Sequence, residues 1–187
     1  MAQDGLVALG GNMPSDAGSP ADTLRAAVDA MRARGLRIGA VSRLYATPCF
    51  PEGAGPDYVN AAVRVMGVRD PDKLLEKLHE IEAEFGRQRQ RRWGMRTLDL
   101  DLVAVGDMVL PDRATQTAWR NLDPAAQQRK APGELILPHP RMQDRAFVLV
   151  PLADVAAAWV HPLSGRSVMQ MRDALPAEAL EGVTPLD

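Results

Sequence analysis

Apolar and polar residues alternate along residues 96–106, and this period of two is typical of a half-buried β-strand. The apolar positions predicted to face the core are Leu98, Leu100, Leu102 and Ala104. Asp99 and Asp101 are then predicted to face the other side, with Cα atoms about 6.5–7 Å apart. Two carboxylates this close on a rigid strand repel each other unless a cation lies between them. The pattern therefore predicts a cation site.

The apolar pattern elsewhere predicts three further strands and two amphipathic helices. The strands are predicted at residues 6–12, 36–45 and 58–68, and the helices at 19–35 and 70–86. A loop rich in proline and glycine joins the second and third strands, so these two can be antiparallel. The order β-α-β-β-α-β is the ferredoxin-like pattern, an α+β sheet with helices packed on one face. The other face is expected to stay open for ligands.

The rest of the chain is predicted to add elements to this unit. Short helices are predicted at 111–122 and 123–130, a longer one at 147–158, a strand edge at 159–162 and a last helix at 167–175. His139 lies between two prolines, and Arg145 follows six residues later. Together they could close over phosphates, although a histidine in such a position is more often structural.

Composition narrows the function. The chain has 187 residues, 46% of them hydrophobic and 25% charged, as in an ordinary globular domain. The formal net charge of -2 argues against a broadly basic surface for nucleic acid. Cys49 is the single cysteine, which favours a reducing compartment. With neither a signal-peptide pattern nor a long apolar run, we expect a cytoplasmic protein without a membrane partner.

Arginines are concentrated just before the acidic strand, at Arg87, Arg89, Arg91, Arg92 and Arg96. Guanidinium groups beside paired carboxylates suit a polyphosphate that carries Mg²⁺, because arginines bind phosphate oxygens and carboxylates bind the metal. Either half alone is more typical of a solvated loop or a solvent-facing strand, but the two in this order favour the ligand site. The loops at 47–56 and 86–95 are predicted to act as lids.

Other polar residues fit the same face. Tyr58 and Asn60 are predicted to share the side of the aspartates, where an aromatic ring and an amide can hold a flat heterocycle. A surface Tyr and Asn would be the more common arrangement for that pair alone. Glu82 lies near a helix end, where a carboxylate gains nothing from the helix dipole, so we expect it to pair with the arginines that follow.

These residues occur in motifs that resemble one known family. The motifs are Leu9-Gly10-Gly11-Asn12, Tyr45-x-Thr47-Pro48, residues 57–62, Phe85-Gly86-Arg87, residues 92–101, Leu137-Pro138-His139-Pro140-Arg141 and Arg145-x-Phe147. Together they resemble the 6-hydroxymethyl-7,8-dihydropterin pyrophosphokinase family of folate biosynthesis. The resemblance implies an ATP-dependent enzyme that transfers pyrophosphate to the pterin hydroxymethyl group and releases AMP.

The resemblance also implies roles for individual residues. Asp99 and Asp101 would bind two Mg²⁺ ions, and the catalytic group would be Arg92, Arg96, Asp99 and Asp101. The pterin would be bound by Gly10, Thr47, Pro48, Phe50, Tyr58, Asn60, Trp93 and Phe147, with Tyr58 and Phe147 on the two faces of its ring. ATP would be bound by His79, Glu82, Arg87, Arg89, Arg92, Arg96, His139 and Arg145.

The chain departs from the family pattern at Gly11, where serine is common, and at Met95, where proline is usual. Residues 107–133 look like an insertion in an otherwise single domain, 1–187. We expect ATP and the hydroxymethyl dihydropterin as small-molecule partners and no nucleic acid. The oligomeric state is unknown, with a monomer favoured. The alternative is a ferredoxin-like RNA-binding module that binds RNA through the arginine-rich loop at 86–95, called the arginine loop below. An aromatic content of only 4% argues against this alternative.

Overall fold

The computed structural model describes residues 1–49, 55–86, 96–123, 126 and 129–186. Its strands are β1 (Gln3–Gly11), β2 (Arg37–Val41), β3 (Tyr45–Thr47), β4 (Tyr58–Val68), β5 (Asp99–Val105) and β6 (Thr184–Pro185). Its helices are α1 (Pro20–Ala33), α2 (Pro71–Glu84), α3 (Arg113–Arg120), α4 (Ala146–Ala156), α5 (Val168–Asp173) and α6 (Ala177–Glu181), with a 3-10 turn at Met142–Asp144. None of the helices in these ranges has the length and apolar character needed to cross a membrane.

The strands form one antiparallel sheet in the order β5-β1-β4-β3-β6, with β2 paired to β4 beside β3. This is the ferredoxin-like arrangement, so the predicted α+β fold class is confirmed. The single strand predicted at 36–45 is wrong, because the chain breaks into β2 and β3 around Ser42. There the Ser42 hydroxyl accepts a hydrogen bond from the amide of Ala62 at 2.8 Å, which interrupts the regular backbone ladder.

Helices α1 and α2 cover one face of the sheet, as predicted. Each begins at a side chain that caps the first turn, Ser19 for α1 and Asp70 for α2. Their buried positions include Leu24, Ala27, Val28, Met31, Leu74, Leu78 and Ile81. These residues pack on the predicted core positions Leu98, Leu100 and Leu102 of β5 and on Ala61, Val63 and Val65 of β4.

The expectation that the second face stays open is only partly right. Helices α4 and α5 pack on it and form a second apolar cluster with Leu6 and Ala62. Ala104 also lies in this cluster, so its prediction for the first core face is wrong. The cause is a register shift between β1 and β5, where Leu6 pairs with Ala104 but Val7 pairs with Leu102. One extra residue in β5 reverses the alternation beyond it.

Residues 107–133 contribute α3, within the helix predicted at 111–122. Gln116 of α3 is fully buried, and its side-chain amide donates a hydrogen bond to the carbonyl of Pro138 at 2.9 Å. Leu110 and Leu137 also form an antiparallel bridge. This stretch therefore supports the turn that carries His139.

Candidate active site

The acidic pair lies at the start of β5, on the second face of the sheet, where both carboxylates are partly exposed. Asp99 pairs across the sheet with Gly10, and Asp101 pairs with Ala8. Arg96 forms an ion pair with Asp99, with Nη1 and Oδ2 at 2.5 Å. Within the described ranges, no group of three or more His, Cys, Asp or Glu side chains is placed to hold a metal ion.

This donor set fits Mg²⁺ better than a metal that needs an all-protein cage. Mg²⁺ is commonly held by one or two carboxylates, with substrate phosphates and water completing its octahedron. Asp99 and Asp101 provide hard oxygen ligands on a rigid strand and leave the other positions to the substrate. The predicted metal ligands are therefore chemically suited to magnesium bound together with a nucleotide.

Small residues of β1 separate the acidic strand from β4. Gly10 pairs with Asp99 on one side and Asn60 on the other, and Ala8 pairs with Asp101 and Ala62. A Cβ atom at Gly10 would lie only 2.9 Å from Oδ1 of Asn60. Any larger residue at this position would displace the Asn60 amide. The position between Asp99 of β5 and Asn60 of β4 therefore has no side chain on β1, and this gap is called the recess below.

The far side of this recess is polar and aromatic. The Asn60 side chain is buried and donates a hydrogen bond to the Thr47 hydroxyl at 2.7 Å. Thr47 pairs with Tyr58 across β3 and β4, so the three side chains belong to adjoining positions of the sheet. Burial raises the pKa of Tyr58, while the nearby charge of Arg96 lowers it. Tyr58 therefore lies within the electrostatic influence of the residues around Asp99.

His139 is held by its own backbone and by a neighbouring amide. Its N–H donates to the carbonyl of Val103 at 2.7 Å, which joins the turn to β5. Its Nδ1 accepts from the amide of Arg141 at 3.1 Å, so the imidazole proton belongs on Nε2. Burial, together with the charges of Arg145 and Arg141, lowers the pKa of His139 to about 3. His139 is a neutral hydrogen-bond donor at Nε2.

Arg145 connects the acidic pair to an aromatic ring. Burial lowers the pKa of Arg145, and the carboxylate of Asp101 acts in the opposite direction. Its guanidinium carbon lies 5.7 Å from the ring centroid of Phe147, at the start of α4. Phe147 is 40% exposed, which is unusual for a phenylalanine. The structure thus brings Arg145 and Phe147 to the face of the sheet that carries the aspartates.

Glu82 has a partner that sequence reasoning did not anticipate. Its side chain is buried, and Oε1 accepts a hydrogen bond from the amide of Leu100 at 2.7 Å. The carboxylate therefore links α2 to the outer edge of β5, directly between Asp99 and Asp101. Glu82 was expected to pair with the arginines that follow α2, and Arg87, Arg89, Arg91 and Arg92 lie outside the described ranges. His79, one turn earlier on α2, is exposed.

Asn12 is the clearest residue that sequence reasoning missed. Its side-chain Oδ1 accepts a hydrogen bond from the backbone amide of Arg96 at 2.9 Å. Its backbone amide donates a hydrogen bond to the carbonyl of Arg96 at 2.9 Å. Its Nδ2 donates to the carbonyl of Pro56 at 3.1 Å. A buried asparagine directly after two glycines was the available signal. Nothing in the local sequence indicates which distant segments it bonds.

Gly11 has a steric explanation for its departure from the family serine. A Cβ atom at this position would lie 2.4 Å from the carbonyl oxygen of Thr97. Side chains cannot approach a backbone carbonyl this closely, so any other residue would require Thr97 to shift. The predicted site residues Phe50, Arg87, Arg89, Arg92 and Trp93, and the departure at Met95, lie outside the described ranges.

Paired carboxylates beside guanidinium groups and aromatic rings, on one face of a ferredoxin-like sheet, suit a nucleotide-dependent phosphotransferase. A family model described as 7,8-dihydro-6-hydroxymethylpterin-pyrophosphokinase matches residues 6–157. The chain belongs to this family, which confirms the resemblance found in the sequence and the enzyme class.

Similar proteins agree with this assignment. The chain is 36% identical to the 2-amino-4-hydroxy-6-hydroxymethyldihydropteridine pyrophosphokinase of Synechocystis, over 96% of this chain and 80% of the relative. It is also 36% identical to that of Pseudomonas aeruginosa, over 97% of both chains. The RNA-binding alternative is not supported by these matches.

A solved structure shows the same fold. The Plasmodium falciparum HPPK-DHPS triple mutant with SDX-DHP matches with a TM-score of 0.63 at 14% identity. The match covers 92% of this chain and 44% of that chain, so the present chain spans less than half of the Plasmodium protein. At this identity the likeness supports the fold and nothing finer.

Proposed function

We propose that the chain transfers the pyrophosphoryl group of ATP to 6-hydroxymethyl-7,8-dihydropterin in folate biosynthesis. The pterin hydroxymethyl oxygen attacks the β-phosphorus, the bond between that phosphorus and the α-phosphate oxygen breaks, and AMP leaves. The hydroxymethyl proton is lost to solvent. The observation that carries the proposal is the meeting of Asp99, Asp101 and Arg145 on the face that also presents Tyr58 and Asn60.

In this proposal Asp99 and Asp101 hold two Mg²⁺ ions, which would neutralise charge on the phosphates when bound. The ion pair of Arg96 with Asp99 orients that carboxylate on its rigid strand. Glu82 fixes the backbone between the two aspartates through the amide of Leu100. Preorganised charge of this kind is most of what phosphoryl-type transfer requires from a protein.

The pterin is assigned to the recess beside Gly10. Asn60 and Thr47, already hydrogen bonded to each other, would present polar atoms to the edge of the heterocycle. Tyr58 and the exposed Phe147 would stack on the two faces of the ring. Pro48, Phe50 and Trp93 would complete the pocket. A ring held in this way fixes the direction of the hydroxymethyl oxygen, which aligns it for attack.

The triphosphate is assigned to the cationic side of the site. Neutral His139 would donate a hydrogen bond from its Nε2–H to a phosphate oxygen. Arg145 would add a positive charge, which lies close to Asp101. The remaining proposed nucleotide ligands are His79, Glu82, Arg87, Arg89, Arg92 and Arg96. The arginine loop would also exclude water, which otherwise competes for the activated phosphorus. No general base is part of the proposal.

The decisive experiment supplies ATP, Mg²⁺ and the hydroxymethyl dihydropterin and identifies the nucleotide product. We expect AMP; ADP would indicate an ordinary kinase, and an unchanged nucleotide would contradict the proposal.

Asp101→Asn is the matching variant, because within the described residues Asp99 is the member of the pair that forms an ion pair, with Arg96. We expect it to lower kcat by at least about a hundredfold, since it removes a metal ligand that acts in the transition state. Its melting temperature should stay near that of the parent. Asp173→Asn, at an exposed ion pair on α5, is the control and should keep full activity.

We also propose that residues 1–187 form one catalytic domain in which 107–133 are an insertion. The cytoplasmic location and the monomeric state stay predictions from the sequence.

A further inference from the structure

Arg141 is a cation that the proposed site does not yet use. It lies in the turn between His139 and the 3-10 segment Met142–Asp144, and its backbone is held at both ends. Its amide donates to Nδ1 of His139 at 3.1 Å, and its carbonyl accepts from the amide of Asp144 at 3.3 Å. The backbone of Arg141 is therefore fixed, and only its side chain has freedom to move.

Part of the Arg141 side chain lacks hydrogen-bond acceptors among the described residues. Its Nε and Nη1 atoms are shielded from solvent, and neither has a hydrogen-bond partner in the part of the chain that the structure describes. Leaving a buried donor unsatisfied costs free energy, and the cost is larger for a charged group than for a neutral one. A protein keeps such a group where a ligand supplies the missing acceptor.

The surroundings of Arg141 indicate the charge of that ligand. The positive charge of Arg141 lowers the pKa of both His139 and Arg145, so the guanidinium lies close to each of them. The carboxylates of Asp101 and Asp99 act on Arg145 in the opposite direction, and Asp99 already forms an ion pair with Arg96. Two like charges held together, with donors left over, are relieved by an anion between them.

We propose that Arg141 is a further phosphate ligand, which acts together with Arg145 and His139 on the triphosphate of the nucleotide. This inference rests on the proposed function. A guanidinium has donors on two edges, so a change of side-chain rotamer can direct Nε and Nη1 toward phosphate oxygens. Asp99 and Asp101 would hold the metal side of the same polyphosphate, and Arg141 would bind oxygens that the metal leaves free.

A ligand role and a structural role predict opposite effects of Arg141→Gln. As a phosphate ligand, Arg141 stabilises only the nucleotide-bound protein and burdens the free one. Arg141→Gln should therefore keep or raise the melting temperature of the unliganded protein. It should also weaken binding of Mg²⁺-bound α,β-methylene ATP about tenfold or more, since a charged hydrogen-bonding group is lost. Affinity for AMP should change less than about twofold.

The measurements are calorimetric titrations with the α,β-methylene analogue, AMP and inorganic tripolyphosphate, together with thermal unfolding. Arg113→Gln is the matched control, because Arg113 is an exposed arginine on α3. It should leave all three affinities unchanged. Arg141→Lys keeps the charge and loses the planar fork, and we expect an intermediate loss for the analogue and tripolyphosphate.

Three outcomes would overturn the inference: a lower melting temperature for Arg141→Gln, unchanged affinity for the analogue, or equal losses for the analogue and AMP. These titrations need neither pterin nor turnover. Failure of the proposed reaction would leave the binding result intact. Conversely, a protein that makes AMP but whose Arg141→Gln variant binds the analogue normally would refute only the role of Arg141.

Discussion

At the scale of single residues, two histidines are held in the neutral form by the fold. His139 accepts the amide of Arg141, and burial lowers its pKa to about 3. His161 is buried, accepts the amides of Leu163 and Ser164, and has its pKa lowered to about 4, chiefly by burial. A histidine that cannot charge in the native state binds a proton only after unfolding, which ties stability to pH.

The sign of that dependence follows from the direction of the shifts. Between the ordinary histidine pKa of about 6.5 and the folded values, the unfolded chain binds more protons, so stability falls as pH falls. We expect the free energy of unfolding to drop by about 1.4 kcal/mol per histidine between pH 7.5 and 5.5. Chemical denaturation at the two pH values measures the drop.

His161→Asn separates the contributions, since an asparagine oxygen can still accept the turn amides without titrating. The variant should lose about half of the pH dependence. An unaltered dependence would show that His161 is charged in the folded protein.

At the scale of elements, the site is assembled by polar side chains that join segments distant in sequence. Glu82 links α2 to β5, Gln116 links α3 to the turn before His139, and Asn12 links the end of β1 to Arg96 and Pro56. Each of these side chains is buried and hydrogen bonded to backbone atoms. Such bonds specify position strongly, because breaking one leaves a buried backbone group unsatisfied.

Asn12 offers a test of its two side-chain hydrogen bonds, because one variant removes a single bond and another removes both. Asn12→Asp keeps an oxygen for the Arg96 amide and removes the donor to Pro56, whereas Asn12→Ala removes both. We expect kcat to fall about tenfold or more in Asn12→Ala and less in Asn12→Asp, because misplacing Arg96 disturbs its contact with Asp99.

Hydrogen exchange at the Arg96 amide is the direct readout. Protection should survive in Asn12→Asp and be lost in Asn12→Ala. Equal protection in the two variants would mean that Asn12 does not hold this segment.

At the scale of the whole molecule, the C-terminal elements complete a core that the ferredoxin-like unit leaves open. The family match ends at residue 157, yet Val168 and Met171 of α5 are buried in the second cluster with Leu6 and Leu149. The strand β6 adds only a short pairing with β3 at the sheet edge. Helix α5 should therefore matter for stability far more than the residues after it.

Two truncations test this difference. A chain that ends at Leu175 keeps α5 and should fold, with a melting temperature a few degrees lower from the loss of α6 and β6. A chain that ends at Ala157 exposes the apolar side of α4 and should fail to fold or aggregate, since several buried side chains lose their contacts. Circular dichroism and gel filtration distinguish the two, and equal stability of both chains would refute the assignment.

The local pattern of this chain was enough to predict the helices, most of the strands and the ferredoxin-like order, because these depend on periodicity and capping within short windows. It also indicated Asp99, Asp101 and Arg145 as candidate site residues, because their residue types and motifs carry chemical information by themselves. Only the tertiary structure decided the bulge that turns Ala104 over, the cover of α4 and α5, and the backbone bonds of Glu82 and Asn12. Those features depend on contacts between distant segments, and a local sequence pattern does not record which segment will supply the partner.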